Sequence, residues 1–356
     1  MGKIGVAVIG ATGIVGQRMV NMLTKHPWFD LQVITASDKS VGKKYKNATK
    51  WVISAEPPSE VKEYAVLETD PKVVEHEGNN IKIVFSAIPS QIAREIEPKF
   101  ASEGFAVSSN ASAYRMDPTV PLVIPEVNPD HLKLIDIQKE LKGWDGFIIT
   151  DPNCSTIILA IPLKPLLDNF GLERVYVSTM QAISGAGLSG IFAMSIFDNV
   201  IPYISGEEEK METEPLKILG SLKNKNIEKA NFTISASCHR VTTLEGHLEA
   251  IFASLKRECT IEEVKNVLRA FKGIAQKYSL PSAPKNPIIV REEIDRPQPR
   301  LDRDAENGMA ITVGRIRADK SNPRGIKFLT LGHNTIRGAA GATILNAELL
   351  VKMNYV

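Results

Sequence analysis

KIGVAVI-GATGIVG, at residues 3–16, is the stretch that decides the fold. Its apolar first half, Lys3 to Ile9, predicts a buried strand, and its glycine-rich second half opens a predicted helix that runs to about Lys25. The glycine spacing permits a tight turn, close approach of a pyrophosphate to the backbone and close packing of helix on strand. The pyrophosphate would lie on the free N–H groups at the start of the helix. With a second predicted strand at Leu31 to Ala36, the segment predicts a dinucleotide-binding unit.

The loop after that second strand should select the cofactor. A site for NAD usually has Asp or Glu there for the ribose hydroxyls, whereas this chain has Ala-Ser-Asp-Lys-Ser at residues 36–40. Asp38 could repel a 2′-phosphate or point away from it, and Lys39 could be an ordinary solvated lysine; on balance the loop's hydroxyls and cation favour NADP. The candidate cofactor-binding residues are Gly10, Thr12, Gly13, Ile14, Val15, Ser37, Lys39 and Ser40.

Length and composition are those of an ordinary enzyme. A chain of 356 residues suggests two domains, and a net charge of +2 gives no indication of nucleic acid or of an anionic membrane as a partner. Three cysteines without framework spacing fit a reducing compartment, and Met1 runs directly into a predicted strand without a signal peptide, so we expect a cytoplasmic protein. The uncharged stretch from Val175 to Phe197 contains serines, glycines and Gln181, which make it a poor membrane span.

Alternation of strands and helices continues to about residue 150. Predicted strands at Ile81 to Ala87 and Phe105 to Ser108 alternate with predicted helices at Gln91 to Glu103 and Asn128 to Lys142. This order predicts a doubly wound, Rossmann-like parallel sheet in an α/β fold.

The second half of the chain differs, because longer apolar strands such as Leu248 to Leu255 and Ile326 to Leu331 follow Arg174 with fewer helices between them. It predicts an α+β domain with a mixed sheet, whose surface would suit a dimer interface. The proline-rich stretch from Pro281 to Pro299 should be a surface excursion, and a final helix, Ile336 to Met353, could return to the first domain. We therefore expect a cofactor-binding domain at 1–152, completed by 335–356, and a catalytic and dimerisation domain at 153–334.

Cys154 stands in the run Asp-Pro-Asn-Cys-Ser-Thr at residues 151–156, between a short apolar strand at 147–149 and an apolar stretch at 157–161. Pro152 and Asn153 are turn and N-cap residues, which places Cys154 in the first turn of a helix. Free N–H groups and the helix dipole there favour a thiolate, the form required for covalent catalysis on an acyl group. A buried core cysteine is the alternative.

A second group of residues has the chemistry to assist a thiolate. Gln181 precedes a glycine-rich turn at 184–187, and Cys-His-Arg-Val-Thr-Thr-Leu-Glu-Gly-His spans residues 238–247. His239 and His247 have no zinc-helix or zinc-ribbon spacing, so no metal site is expected. An imidazole is the usual acid–base partner of a thiolate, and Arg240 offers a planar fork for a carboxylate.

Taken together, these motifs resemble aspartate-β-semialdehyde dehydrogenases of the archaeal and fungal type. The resemblance spans nearly the whole chain and rests on GATGIVGQR, SNASAYRMD, PNCST, QAISGAG, EEEKM, HRVTTLEGH and HNTIRGAAG, which occur in this order.

The resemblance implies a role for individual residues. Cys154 would be the nucleophile that forms a thioester, and His247 the acid–base catalyst. Arg240 would hold the substrate α-carboxylate, Glu207 its α-amino group, and Gln181 would orient the substrate. Phosphate would be bound by Arg115, Lys210 and Asn110, and the cofactor also by Ser184, Gly185 and Asn334. From the residues alone, Glu207 to Lys210 could equally be an ordinary charged helix face, and either Glu207 or Glu208 could face the substrate.

The implied reaction is reduction of L-4-aspartyl phosphate by NADPH to L-aspartate 4-semialdehyde and phosphate, in the pathway to lysine, threonine and methionine. The implied assembly is a homodimer or homotetramer. Three alternatives stay open: a malonyl- or succinyl-CoA reductase on the same scaffold, an N-acetylglutamyl-phosphate reductase, and a non-catalytic nucleotide-sensing protein. The intact NASAYR and EEEK segments argue against the CoA-dependent enzyme, which needs no tight phosphate site.

Overall fold

A computed structural model describes residues 2–356, so Met1, expected to precede the first strand directly, lies outside the described residues. The strands are β1 Ile4–Ile9, β2 Phe29–Thr35, β3 Ile81–Ser86, β4 Ala106–Ser109, β5 Phe147–Thr150, β6 Leu172–Gln181, β7 Ser221–Lys223, β8 Asn226–Glu228, β9 Thr233–Arg240, β10 His247–Leu255, β11 Ile288–Val290, β12 Ile311–Ala318 and β13 Gly325–Gly332. The α-helices are α1 Ile14–Leu23, α2 Tyr45–Ala48, α3 Pro71–Glu77, α4 Ser90–Ser102, α5 Leu134–Lys142, α6 Cys154–Phe170, α7 Ala193–Ile196, α8 Glu207–Ile218, α9 Ile261–Ala270, α10 Ile274–Lys277, α11 Pro299–Asp302 and α12 Gly341–Lys352.

The first five strands form a parallel sheet in the order β2-β1-β3-β4-β5. The chain leaves β2 on one side of β1 and returns as β3 on the other side, so the strand order reverses at β1. In doubly wound sheets, ligands bind at the carboxyl ends of the strands beside such a reversal. The predicted doubly wound sheet is confirmed.

Six later strands form the mixed sheet, in the order β11-β12-β13-β10-β6-β9. Its outer pairs, β11 with β12 and β6 with β9, are parallel, and the three pairs between them are antiparallel. The predicted mixed sheet is confirmed.

Helix α6 joins the two sheets. Asn153 caps it, because its side-chain oxygen accepts from the backbone N–H groups of Ser155 and Thr156. The helix is apolar nearly all round, from Ile157 to Phe170, and it is accordingly buried in the core of the mixed sheet. Cys154, its first residue, is thereby fixed at the junction of the two sheets.

Three expected elements differ in detail. The final helix begins with a π-helical turn at Ile336–Ala340, and only then continues as α12, which packs in the same core as β1 and α1. The helix expected from Asn128 begins with a 3₁₀ segment, Pro129–Lys133, because Pro129 starts it and the tighter turn precedes α5. The stretch at 281–299 is not only a surface excursion: β11 lies within it as an edge strand, the position in a sheet that tolerates neighbouring prolines.

Across residues 2–356, none of the helices combines the length and the apolar character that crossing a membrane requires.

Candidate active site

A cavity of about 730 Å³ opens at the carboxyl ends of β1, β2 and β3, where Gly10, Ala36 and Ala87 line it. Gly10 has φ +80°, and a side chain there would lie 2.7 Å from the Ala87 carbonyl oxygen, so the turn requires glycine. No side chain caps the start of α1. Its first N–H groups are therefore free for an anion, and the cavity fits a dinucleotide with its pyrophosphate at this helix end.

Most of the predicted cofactor residues line this cavity, but Lys39 and Ser40 do not. Lys39 is exposed, and its carbonyl oxygen accepts from Lys43. The predicted cofactor-binding residues that do line it are Gly10, Thr12, Gly13, Ile14, Val15 and Ser37. The charged residues in the lining are Asp38 and Glu68, at the end of the cavity beyond β2.

A second cavity, of about 490 Å³, is continuous with the first, since Ile14, Val15, Ile88 and Pro89 line both. All the predicted residues around the nucleophile line it except His247, which lies just beneath. They are Cys154, Arg240, Gln181, Glu207, Arg115, Lys210, Asn110, Ser184, Gly185 and Asn334.

The strand register of the mixed sheet aligns three of these residues in one row. Gln181 on β6 is paired with Arg240 on β9, while Leu248 on β10 is paired with Met180, which brings His247 next to Gln181. Cys154 lies above this row, with its Sγ 3.2 Å from His247 Nε2. Residues separated by up to 93 positions in sequence are thus brought into one site.

His247 is completely buried and held in one tautomer. Its Nδ1 accepts from the backbone N–H of Ala182 at 3.0 Å, so a neutral ring carries its proton on Nε2, facing the sulfur. Burial and the Arg240 charge lower its pKa well below the usual value. The ring is therefore neutral and serves as a hydrogen-bond donor toward Cys154.

The thiol differs from the sequence-based expectation. Burial raises the pKa of Cys154 to about 12, and the Glu207 carboxylate adds to this rise, whereas Arg115, Arg240 and the Ser155 N–H lower it. The start of the helix favours the thiolate as predicted, through the Ser155 N–H, but in the ligand-free protein its contribution is too small to prevent the rise in pKa. Desolvation and one carboxylate outweigh the helix end.

Glu207 is the glutamate that faces the cleft. Its carboxylate accepts from Asn153 Nδ2 at 3.0 Å, from Gln181 Nε2 at 3.3 Å and from Lys210 Nζ at 2.9 Å. Burial would raise its pKa, but Lys210 and the amide donors outweigh burial and lower it, so Glu207 is charged. Glu208 instead accepts from the backbone N–H of Cys238 on the edge strand β9.

Two cations from different elements line the cleft. Arg115 follows β4, is nearly buried, and donates to the Asn110 carbonyl oxygen at 2.8 Å. Lys210, on the first turn of α8, is partly exposed in the same cavity. The Asn110 side chain donates to Asp151 Oδ2 at 2.6 Å. Arg115 is paired with Glu214 and Lys210 with Glu207, and the remaining donors of the two cations can receive an anion in the cavity beside the sulfur.

The turn after β6 covers Arg240 and His247. A Cβ at Gly185 would lie 2.6 Å from Arg240 Nη1, so the turn can approach the row this closely only with glycine. Asn334 holds the turn by donating to Ser184 Oγ at 2.8 Å and by accepting from the Gly246 N–H at 2.8 Å. Asn334, which precedes the π-helical segment, therefore links the turn after β6 to the turn that precedes His247.

Sequence reasoning missed Glu214 and the side-chain contact of Asn153 with Glu207. Glu214 is buried, accepts from Arg115 Nη1 at 3.2 Å and accepts from the Asn153 backbone N–H at 2.7 Å. Its sequence signal is the spacing of seven residues from Glu207, which places both carboxylates on one face of a helix, two turns apart.

Comparison with known proteins gives consistent matches along the chain. Residues 5–135 match the family described as semialdehyde dehydrogenase, NAD binding domain, and residues 163–337 match semialdehyde dehydrogenase, dimerisation domain. The aspartate-semialdehyde dehydrogenase of Archaeoglobus fulgidus is 56% identical over 99% of this chain and 100% of its own length. The chain belongs to the aspartate-semialdehyde dehydrogenase family.

Two further relatives bear on the site. The crystal structure of aspartate semialdehyde dehydrogenase with NADP from Candida albicans is 42% identical, has a TM-score of 0.90, and is matched over 99% of this chain and 100% of that chain. A malonyl CoA reductase (NADP) from Metallosphaera sedula is 41% identical over 98% of this chain and 97% of its own length. The aspartate-semialdehyde dehydrogenase scaffold is therefore also close to an enzyme named for a CoA substrate.

Proposed function

We propose that this chain catalyses the reduction of L-4-aspartyl phosphate by NADPH to L-aspartate 4-semialdehyde and phosphate, through a thioester on Cys154. The observation that carries the proposal is the row of Arg240, Gln181 and His247 beneath the Cys154 sulfur, with Glu207, Arg115 and Lys210 around it. In this row, the Arg240 guanidinium can bind one carboxylate, and His247 Nε2–H is a hydrogen-bond donor at the sulfur. The surrounding charges suit an amino group and a phosphate.

The cofactor would lie on the turn at Gly10 and Gly13 and reach the sulfur where the two cavities meet at Ile14, Val15 and Ile88. NADP is supported by the relative from Candida albicans that was solved with it. When bound, its reduced form supplies the hydride that reduces the thioester.

The substrate's own charge would activate the thiol. An α-ammonium group bound at Glu207 neutralises the carboxylate that raises the pKa of Cys154, while Arg240 takes the α-carboxylate. The thiol then loses its proton more easily when substrate is present than in the free protein. Binding and activation are thus coupled through Glu207.

In the acyl transfer, the sulfur–acyl bond forms while the bond from the acyl carbon to the phosphate oxygen breaks, and the thiol proton passes to the departing phosphate. Because Nδ1 of His247 accepts from Ala182, its Nε2–H donates to the acyl oxygen while that oxygen is negatively charged. After reduction, the carbonyl re-forms, the carbon–sulfur bond breaks and the thiolate leaves.

One assay separates this function from that of a CoA-dependent relative. Purified protein is supplied with NADP and either L-aspartate 4-semialdehyde with phosphate or malonate semialdehyde with CoA, and NADPH formation is followed. We expect phosphate-dependent oxidation of L-aspartate 4-semialdehyde. CoA-dependent, phosphate-independent oxidation would contradict the proposal and favour the malonyl-CoA reductase named among the relatives.

The covalent step has its own test. Cys154→Ser should lower turnover by at least ~10³-fold while NADP binding is retained, because a hydroxyl at this position has no comparable nucleophilicity. Retention of more than a few per cent of the activity would contradict the thioester. Cys238→Ser is the matched control, since Cys238 lies on β9 away from the cavity lining.

We further propose the division into units at 1–152 with 335–356 and at 153–334, assembly as a homodimer or homotetramer, and a cytoplasmic role in the formation of lysine, threonine and methionine. The match of residues 163–337 to a dimerisation domain supports self-association.

A further inference from the structure

Helix α8 contacts both sides of the proposed anion pocket. Near its start, Glu207 accepts from the Asn153 side chain. Two turns later, Glu214 accepts from the Asn153 backbone through Oε2 and from Arg115 through Oε1. One further turn along, Lys217 donates to the carbonyl oxygens of Arg115, Asp117 and Val120 at 2.7, 2.8 and 2.9 Å.

Glu214 is the residue where these contacts converge. Its side chain is 2% exposed, and it lies 99 positions from Arg115 and 61 from Asn153 in the sequence. Arg115 is 6% exposed, and its buried Nε has no partner among residues 2–356. The guanidinium is thus anchored on one side by Glu214 and keeps an unused donor.

We propose that Glu214 is a positioning residue: its carboxylate holds Arg115 against the start of α6, so that an anion bound by Arg115 is kept beside the Cys154 sulfur. The inference rests on the proposed function, in which Arg115 binds the phosphate of the substrate. It adds a residue that touches neither substrate nor cofactor but fixes the distance between the phosphate site and the nucleophile.

The chemistry of the two partners explains why a carboxylate is needed. Arg115 Nη1 and the Asn153 N–H are both donors, so each Glu214 oxygen must accept. Glutamine has the same shape but only one accepting oxygen, and it therefore leaves one of the two donors facing an amide N–H. Aspartate keeps both acceptors but is one methylene shorter.

The test compares Glu214→Gln with Glu209→Gln, the same change at an exposed position of the same helix. For Glu214→Gln we expect the KM for phosphate to rise roughly 10-fold, because the link between Arg115 and Asn153 is broken. The KM for the semialdehyde should change by less than about 2-fold, because Gln181 and Lys210 still hold Glu207. Glu209→Gln should match the wild type. An equal rise in both KM values, or no difference between the two variants, would overturn the proposal.

A double-mutant cycle then tests whether Glu214 acts through Arg115. In an Arg115→Ala background, Glu214→Gln should add less than about 2-fold to the KM for phosphate, since the group that it positions is gone. A full additional effect would mean that Glu214 acts by another route. If Glu214→Gln lacks the wild-type circular dichroism spectrum, Glu214→Asp replaces it in the same cycle, with the same expected and contradicting outcomes.

The rate at which iodoacetamide alkylates Cys154 keeps this test separate from that of the proposed function. If aldehyde oxidation by the wild type did not depend on phosphate, the proposed function would be contradicted. The alkylation rate would still test the role of Glu214, because alkylation needs no substrate. Arg115 favours the thiolate, so Arg115→Ala should slow alkylation. If Glu214 acts through Arg115, Glu214→Gln should change the alkylation rate of the wild type but leave that of Arg115→Ala unchanged. An equal change in both backgrounds would overturn the proposal, whether the protein uses phosphate or CoA.

Discussion

At the scale of single residues, the site is a balance of charges around one sulfur. Glu207 raises the pKa of the Cys154 thiol, while Arg115 and Arg240 lower it, and burial acts in the same direction as Glu207. A carboxylate that faces a nucleophilic thiol is unfavourable for catalysis unless a ligand neutralises it. In the proposed function, the amino group of the substrate would meet that requirement, and Glu207 would then both select the substrate and control the reactivity of the thiol.

The first prediction concerns Glu207→Gln. Removing the negative charge lowers the pKa of Cys154, so a larger fraction of the thiol is ionised at pH 8. At a pH well below the pKa of the thiol, a fall of one unit in that pKa raises the thiolate fraction about 10-fold, so we expect alkylation by iodoacetamide to become about 10-fold faster. Turnover should fall, because the amino group of the substrate loses its partner. The pH dependence of the alkylation rate measures the shift directly.

Glu209→Gln serves as the control, because Glu209 is exposed on the same turn of α8 and should leave the alkylation rate unchanged. Slower alkylation of Glu207→Gln, or an unchanged rate, would mean that Glu207 does not govern the thiol.

The second prediction concerns Arg240→Lys. Arg240 Nη1 already donates to the Ala182 carbonyl oxygen at 2.7 Å, so its remaining donors are free for a carboxylate in the plane of the guanidinium. Lysine has no planar fork, so it cannot donate to the Ala182 carbonyl oxygen and to both carboxylate oxygens in this geometry. We expect the KM for the semialdehyde to rise roughly 10- to 100-fold, and the KM for phosphate to change by less than about 3-fold.

Steady-state kinetics with each substrate varied in turn checks this prediction. Equal effects on the two KM values would assign Arg240 to the phosphate or to the fold. Arg174→Lys, on the neighbouring strand β6 and outside the cavity lining, is a matched control that should match the wild type.

At the scale of elements, the strand, turn and helix around Cys154 could be predicted from the sequence, because the signals are local. Asn153 is an N-cap residue by type, and the apolar run after it indicates a buried helix. The thiol's protonation could not be predicted in the same way. It depends on Glu207, which is 53 positions away in sequence and reaches the site only through the packing of α8.

Helix α8 shows the same limit. Its sequence reads as an ordinary charged face, and the Glu207–Lys210 pair expected from i,i+3 spacing is present at 2.9 Å. Its position beside the cleft depends on contacts that no local pattern predicts: Glu208 and Glu212 accept from backbone N–H groups of the edge strand β9, at Cys238 and Ala236.

The third prediction concerns Lys210→Ala on α8. Lys210 and Arg115 come from different elements and share one cavity, as expected for two cations that bind one anion. Loss of a charge-assisted contact should raise the KM for phosphate roughly 10- to 100-fold, and should affect the KM for the semialdehyde less, because Asn153 and Gln181 still hold Glu207.

Kinetics with phosphate and with arsenate, which should replace phosphate in the wild type, check this prediction. Lys223→Ala, an exposed lysine on β7, is the control. An unchanged KM for phosphate in Lys210→Ala would remove Lys210 from the anion site.

At the scale of the whole molecule, the sequence predicts two sheets with a cleft between them, because the strand and helix periodicities differ between the halves of the chain. It does not predict the row of Arg240, Gln181 and His247, since the row depends on the register between β9, β6 and β10. A shift of one residue would turn one of these side chains to the other face of the sheet. Lys39 illustrates a smaller limit, because the direction of a loop side chain after β2 depends on the turn geometry.

The last prediction concerns the outer face of the mixed sheet. Tyr176 on β6 and Phe252 on β10 are directly paired and are 48% and 42% exposed, and they lie within the segment that matches a dimerisation domain. Two adjacent exposed aromatic residues on a regular sheet are typical of an interface core. If a second copy of the chain covers this face, then Tyr176→Asp combined with Phe252→Asp should bury two charges there and dissociate the assembly, which sedimentation velocity would report as a fall to the protomer mass. Leu141→Asp, at an exposed apolar position on α5, should leave the wild-type assembly intact. An unchanged sedimentation coefficient for the double variant would place the contact between copies elsewhere on the surface.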